Sequence, residues 1–311
     1  MKRYDHQDMF EILAELGLWA ETASPGDAVS VEAPHPDLKG DRWEGAPWTM
    51  DGRRVRCRGL RCWADAAEAV GCRLLMPVAV DDAWARLTFQ KLGKYTFHDD
   101  APETPEEKYG VRSPFFSLDK REEPAYLTAF LRALDFVAAK TRGRVLDLGV
   151  NSGDEIALVR RYLTEPRFSE TGVVGVDHAP SAIAAARRRF PVDNVAFHLA
   201  DINLLDDLEL GRFDLLISIG TLQSPGIRAK PLLMSLVKSY LTEQCGIILG
   251  FPNCRYVDGE VVFGAKVRNY AAPELSLLVN DVSFAKRYLQ QHKFRVTVFG
   301  KHYLFVAAVR G

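Results

Sequence analysis

Two apolar runs stand out along the chain, and each ends on an acid. Arg144-Val145-Leu146-Asp147-Leu148-Gly149-Val150-Asn151-Ser152-Gly153 is followed, after a segment of helical pattern, by Val173-Val174-Gly175-Val176-Asp177. Short apolar runs separated by such a segment predict parallel strands covered on both faces and joined by a right-handed crossover. Ligands bind at the carboxyl ends of strands so connected. The first hundred residues have a different pattern. Residues 9–18 are apolar at helical spacing, and residues 64–70 predict a second short helix leading into the strand-like Cys72-Arg73-Leu74-Leu75-Met76-Pro77. Between them Pro25, Gly26, Pro34, Pro36, Gly40, Gly45 and Pro47 mark a long irregular stretch. The expectation is a small α+β domain over residues 1–94. A further helix is placed over residues 124–140. Arg255-Tyr256-Val257-Asp258-Gly259-Glu260-Val261-Val262-Phe263 predicts a β-hairpin turning at Asp258-Gly259.

The glycines after the first run suggest its chemistry. Gly149 and Gly153 allow a sharp turn and a close approach of the backbone to a ligand. Asn151 stands where many such loops have a third glycine, and Asn tolerates the left-handed conformation. Asp177, at the tip of the second strand, is placed to accept hydrogen bonds from the two ribose hydroxyls of an adenosine. A phosphate-binding loop fits less well, because neither Gly-x-Gly-x-x-Gly nor the Gly-Lys-Ser/Thr of a P-loop occurs here.

With these residues in place, the segment from about 125 to 311 resembles the class I S-adenosylmethionine-dependent methyltransferases. Phe197-His198-Leu199-Ala200-Asp201-Ile202 resembles that family's third strand, whose acid meets the adenine amino group. Phe213-Asp214-Leu215-Leu216-Ile217-Ser218-Ile219-Gly220-Thr221 resembles the fourth, whose end lies beside the methionine part of the cofactor. Gly246-Ile247-Ile248-Leu249-Gly250-Phe251-Pro252-Asn253 resembles the fifth, and residues 294–309 the closing antiparallel hairpin. The Gly-x-Asn-x-Gly loop is similar to that of some branches of the superfamily. The resemblance implies an α/β fold: a Rossmann-like, mostly parallel seven-stranded sheet with an antiparallel closing hairpin over residues 125–311. It implies S-adenosyl-L-methionine as cofactor, held by Asp147, Gly149, Asn151, Gly153, Asp177, Asp201, Ile202, Ile219 and Gly220, with His178 flanking the adenine. Residues 95–124 then form a linker and cofactor lid. The linker part is acidic and proline-rich from His98 to Glu107, and the lid part is Lys108-Tyr109-Gly110-Val111-Arg112-Ser113-Pro114-Phe115-Phe116. In the lid Arg112 would meet the cofactor carboxylate. The alternative is that Phe115 and Phe116 only dock the following helix. Residues 255–280 become an insertion bordering the acceptor pocket, where Arg255, Lys266 and Arg268 would suit an anionic acceptor or, alternatively, support a dimer or the amino-terminal domain.

Composition narrows the class. The chain has 311 residues, 47% of them apolar and 26% charged, which suits a soluble globular protein of two domains. No apolar run approaches the roughly 18 residues of a membrane span, and the amino terminus leads into an amphipathic segment, not a signal peptide, so a cytoplasmic protein is expected. The five cysteines, Cys57, Cys62, Cys72, Cys245 and Cys254, form no Cys-x-x-Cys, and their odd number suits free thiols. No metal is expected.

Arg53, Arg54, Arg56, Arg58 and Arg61 invite a nucleic-acid reading, since Arg54, Arg56 and Arg58 would share one face of a strand and track phosphates. Yet residues 1–100 carry 13 Lys and Arg against 17 Asp and Glu, and the whole chain stands at −1, so a solvated strand face is favoured. No catalytic residue is assigned, because transfer of an activated methyl needs mainly alignment. Side chains that border the reaction come from two loops: Thr221, Gln223 and Ser224 on one, Asn253, Cys254, Arg255 and Tyr256 on the other. His198 is read as a structural strand residue, and His302 as remote from the methyl. The favoured function is methyl transfer to a small molecule. Next comes an RNA or protein methyltransferase that docks through its amino-terminal domain, and third a non-catalytic cofactor-binding protein.

Overall fold

Strand residues that alternate between two covered faces produce the unbroken apolar runs. The computed structural model describes residues 1–50, 52–93, 104–265 and 273–311. The chain divides into two units: Met1–Thr96 with Tyr256–Val262, and Phe97–Arg255 with Phe263–Gly311.

The second unit begins with helix α1 (Pro124–Phe136) and then alternates strand and helix. Its elements are β1 (Arg144–Leu148), α2 (Asp154–Leu163), β2 (Gly172–Asp177), α3 (Pro180–Arg189), β3 (Val195–Leu199), β4 (Phe213–Ile219), α4 (Ala229–Ser235), β5 (Leu241–Pro252), α5 (Ser276–Gln291), β6 (Arg295–Gly300) and β7 (Tyr303–Arg310). The seven strands lie in the order β3-β2-β1-β4-β5-β7-β6, with β1 to β5 mutually parallel and β7 antiparallel to both β5 and β6. This is the predicted mostly parallel sheet with its closing hairpin. One face packs Leu146, Leu148, Leu216, Ile247, Leu249 and Val306 against Leu232 and Leu233 of α4 and Leu278, Val282 and Leu289 of α5. On the other face Phe305 of β7 meets Tyr126 and Phe130 of α1, with ring centroids 5.7 and 6.2 Å away. Helix α1 stops at Phe136, four residues short of the expected end, because Ala138 turns left-handed at φ 53°.

The first unit is a small α+β sheet structure. Trp84–Lys91 is its central strand, pairing antiparallel with Ala28–Pro34, with Cys72–Leu74 and with Val78–Ala79, while Lys2–Arg3 runs parallel to Ala28–Pro34. Helices Met9–Thr22 and Leu60–Ala69 supply Ile12, Leu16 and Trp63 to a core that holds Tyr4, Leu87 and Phe89. The first helix starts at a capping box between Asp8 and Glu11. The stretch expected to be irregular contains strand Ala28–Pro34 and the hairpin Pro47–Met50 with Arg53–Arg56. Val29, Val31 and Ala33 do alternate toward the core there, but prolines at both ends masked the period.

The hairpin predicted at Asp258-Gly259 forms between Cys254–Val257 and Glu260–Phe263, with both turn residues left-handed at φ 49° and 82°. Its tip belongs to the first unit. Asp258 accepts from the Gly93 amide at 3.1 Å, and Arg73 donates to the Asp258 carbonyl at 2.7 Å and reaches Glu260 at 3.3 Å. Residues 98–103 of the acidic linker, and Lys266 and Arg268 of the insertion, lie outside the described residues.

Candidate functional site

The turn between β1 and α2 is left-handed at three positions, Gly149 (φ 76°), Asn151 (φ 44°) and Gly153 (φ 84°). Asn is thus adopting the conformation for which a glycine was expected. Both glycines are also required sterically, and by the protein itself. A Cβ on Gly149 would lie 2.6 Å from Thr221 Cγ2 and closer still to Oγ1, and one on Gly153 would lie 2.7 Å from Phe190 Cε2. Every amide of the turn finds an acceptor inside the chain. Gly149 and Val150 donate to the Val176 carbonyl, Asn151 to Asp177 Oδ2 at 2.9 Å, Ser152 to Asn151 Oδ1 at 2.8 Å, and Gly153 to the Val150 carbonyl. A phosphate cradle would present such amides outward; this loop keeps them.

Asp177 is buried at the end of β2, where Oδ1 accepts the Ala179 amide at 3.0 Å and Oδ2 the Asn151 amide. Each oxygen retains a second lone pair. His178 beside it is half-exposed. Asp201 is exposed after β3 and caps the turn that follows, its Oδ1 accepting from the Asn203 amide at 2.8 Å, while Ile202 is buried in the core. Ile219 ends β4, and Gly220 follows with φ 71°.

Beneath the turn lies a polar cluster. Asp147 is 1% exposed on β1, on the face opposite Leu146 and Leu148, between Gly175 and Ile217 of the flanking strands. Its Oδ2 has no hydrogen-bond partner among the described residues. Glu155, at the start of α2, is buried and accepts from the Tyr126 hydroxyl at 3.1 Å. Burial pushes the Asp147 carboxyl well up, and the nearby Glu155 and Asp177 push it further, against the pull of Lys120. Burial likewise raises Glu155, again opposed by Lys120. The Lys120 ammonium lies 5.3, 6.0 and 5.2 Å from the ring centres of Phe115, Tyr126 and Tyr303. Glu155, Lys120, Tyr126 and Tyr303 all escaped the sequence reading.

The segment ahead of α1 rests on this turn. The Asn151 side-chain amide donates to the Tyr109 carbonyl at 2.7 Å, and Val111 donates to Ser181 Oγ at 2.9 Å. Glu107 caps α3 by accepting the Ser181 amide at 2.9 Å and the Ser181 hydroxyl. The Tyr109 and Phe115 rings meet edge to face at 5.1 Å. Arg112, expected at the cofactor carboxylate, is exposed.

Of the two loops expected to border the reaction, the first carries Thr221, packed on Gly149, and Gln223, whose two amide atoms are buried without a partner among the described residues. On the second, Asn253 is buried with Oδ1 equally unmatched, while Nδ2 donates to the Lys301 carbonyl at 3.0 Å. Cys254 is buried, Arg255 is spent on the carbonyls of Phe263 and Gly264 at 2.7 and 3.0 Å, and Tyr256 belongs to the first unit.

The arginine row does not form. Arg54 is exposed on strand Arg53–Arg56, whereas Arg56 donates to the His6 and Gly45 carbonyls. Arg58 lies past the end of the strand, 3% exposed, donating to the Gln7 carbonyl with its guanidinium 5.4 Å from the Trp63 ring centre. Two-residue spacing makes a face only while the strand lasts.

A family model described as a methyltransferase domain matches residues 139–298. The chain belongs to the methyltransferase-domain family. It is a methyl-transferring enzyme, and S-adenosyl-L-methionine is its donor. Among solved structures it is similar to the plantazolicin methyltransferase BpumL in complex with a monoazolic desmethylPZN analogue and SAH. That match has 16% identity over 62% of this chain and 87% of the other, at a TM-score of 0.41. A TehB-like methyltransferase from Corynebacterium glutamicum matches at 18% identity over 58% and 87% of the two chains, at a TM-score of 0.39. A ribosomal-protein methylase from Lactobacillus delbrueckii subsp. bulgaricus matches at 17% over 60% and 79%, at 0.38. No curated protein matches the sequence. Among the described residues no helix is long and apolar enough to cross a membrane, and no group of His, Cys, Asp and Glu is arranged to hold a metal ion.

Two outcomes are expected. Gly149→Ala should cost about 2–5 kcal/mol, of which a left-handed backbone accounts for about 1–2 and overpacking on Thr221 for about 1–3. Thr221→Ala in the same chain removes the Oγ1 and Cγ2 contacts but leaves Cβ 2.7 Å from the new methyl, so it should recover only a fraction of the second part in a denaturant titration. For Asp147 a raised carboxyl pKa means that, above about pH 4, the folded chain holds a proton that the unfolded chain has released, so stability falls as pH rises. Asp147→Asn should flatten that fall in thermal midpoint between pH 5 and 8; an unchanged slope would clear Asp147 of the cost.

Proposed function

We propose that the chain transfers the methyl group of S-adenosyl-L-methionine to a small-molecule acceptor, with the cofactor lying across the carboxyl ends of β1, β2 and β4. The observation that carries the reading is a set of unmatched polar atoms along one edge of the seven-stranded sheet. Asp147 Oδ2, both amide atoms of Gln223 and Asn253 Oδ1 are buried without partners among the described residues, and they lie at the ends of β1, β4 and β5. A buried polar group left unpaired costs about 1–3 kcal/mol, so these positions favour a polar ligand along that edge.

In this reading Asp177 takes the ribose hydroxyls on the lone pairs that Asn151 and Ala179 leave open. Asp201 and Ile202 take the adenine, flanked by His178. Gly149, Asn151 and Gly153 shape the turn over the methionine end, with Ile219 and Gly220 opposite. Bound there, the cofactor supplies an activated methyl; the protein orients the acceptor and excludes water. Gln223 and Asn253 are the groups available to hold an acceptor, and residues 108–116 act as the lid. A small acceptor is favoured over RNA because Arg56 and Arg58 are committed to carbonyls of their own unit.

Calorimetry should show S-adenosylhomocysteine binding in the micromolar range, about −8 kcal/mol. Asp177→Ala should weaken it by roughly 1.5–3 kcal/mol, the worth of a charged acceptor. Tight binding of NAD instead, or an indifferent mutation, would overturn the assignment. Turnover with labelled donor against fractionated metabolites, RNA and protein then identifies the acceptor class. No salt-sensitive RNA binding is expected at physiological ionic strength. A titration with a slope of about 0.7 log unit per phosphate contact would move RNA to first place.

A further inference from the structure

Lys120 opens the turn Lys120–Glu122 between two anchored neighbours. Asp119 caps the turn and pairs with Arg121 at 2.6 Å, and Arg121 reaches Asp154 at 3.7 Å, which Arg189 holds at 2.7 Å. With its neighbours fixed on the first residue of α2, Lys120 is directed to the aromatic wall of Phe115, Tyr126 and Tyr303. Tyr303 is the first residue of β7, in register with Pro252 at the end of β5, because an antiparallel strand begins at the edge where its parallel neighbour stops. A Cβ on Gly220 would stand 3.7 Å from the Tyr303 ring and 3.9 Å from its hydroxyl, so the phenol sits at the end of β4.

The ammonium lies 5.2 Å from the centre of the Tyr303 ring. An ammonium only donates, so toward Lys120 the phenol oxygen can only accept, which leaves its own hydrogen to donate elsewhere. Burial alone would pull the ammonium down, but Tyr303, Glu155 and Asp154 hold it above the ordinary lysine value, so it stays charged. One fixed cation and an oriented O–H complement a carboxylate, and the unmatched Asp147 Oδ2 can accept from an amine, so together they suit an α-amino acid head.

We propose that Lys120 and Tyr303 together hold the carboxylate at the methionine end of the cofactor. The proposal rests on the methyl-transfer reading and replaces Arg112 as the carboxylate's cation. Lys120 and Tyr303 are positioning residues in it: they set where the sulfonium methyl stands relative to the ends of β4 and β5.

The test compares two ligands by calorimetry on the full chain, S-adenosylhomocysteine and its decarboxylated analogue, which keeps the amine. The parent should prefer the first by about tenfold to a hundredfold. Lys120→Met should erase that preference while leaving the decarboxylated ligand bound as before. Tyr303→Phe should narrow it, Lys120→Arg should keep most of it, and Arg112→Met should leave it intact. Loss of the preference in Arg112→Met, or its survival in Lys120→Met, overturns the assignment. Equal affinity of the parent for both ligands overturns it without any variant. If Lys120→Met fails to fold, Tyr303→Phe decides, and an undiminished preference there overturns the joint role. A parent that binds neither ligand, nor 5′-methylthioadenosine, overturns the cofactor site itself rather than this clamp alone.

Discussion

Five amide groups in succession, from Gly149 to Gly153, leave the regular ladder at the end of β1. Buried amides must be paired, and β1 itself no longer supplies the partners here. The chain resolves this by turning back on the tip of β2: the Val176 carbonyl takes two of the amides, the Asp177 carboxylate one, and the turn's own Asn151 and Val150 the rest. The solution requires left-handed backbone at three of the five positions. It also fixes the Asp177 carboxylate, sets where α2 begins, and so places Glu155 over Asp147. The side chain of Asn151, freed by the same geometry, reaches the Tyr109 carbonyl and gives the segment before α1 its seat.

The strands were legible because burial on both faces writes itself as continuous apolar sequence, and the turn at Asp258-Gly259 because few other pairs accept two left-handed residues. The acids at the ends of β1, β2 and β3 stand where the strand pattern put them. Lys120 and Tyr303 left no such mark. A single lysine among Asp119, Arg121 and Glu122 looks like solvated surface until the anchoring of its neighbours is known. Tyr303 drew no reading, and its neighbour His302 was read as remote, because antiparallel return to the edge where β5 ends is a property of the sheet, not of the local sequence. Arg58 misled for the reverse reason: its spacing continued a pattern after the strand that gave it meaning had ended. The packing partners of the glycines, Thr221 and Phe190, come from 72 and 37 positions down the chain, beyond any periodicity.

The acidic cluster sits in the layer least able to tolerate it. Asp147 and Glu155 share one buried neighbourhood with one cation, and neither helix packing nor sheet pairing needs them charged. Replacing such groups with apolar ones would suit folding; keeping them suits a ligand that brings compensating charge. That edge thus carries the left-handed turn together with the unmatched atoms of Asp147, Gln223 and Asn253.

The tip of the hairpin after β5 completes the amino-terminal unit, giving the Gly93 amide and the Arg73 guanidinium their acceptors on Asp258. Those partners are 165 and 185 residues apart in the chain. A ribosome adding about 5–20 residues per second needs roughly ten to thirty seconds to cover the shorter of these distances. For that interval the nascent amino-terminal unit lacks the peptide that gives Arg73 and the Gly93 amide their acceptors. It is begun first and finished late, so its final closure waits on synthesis of the sheet up to the end of β5.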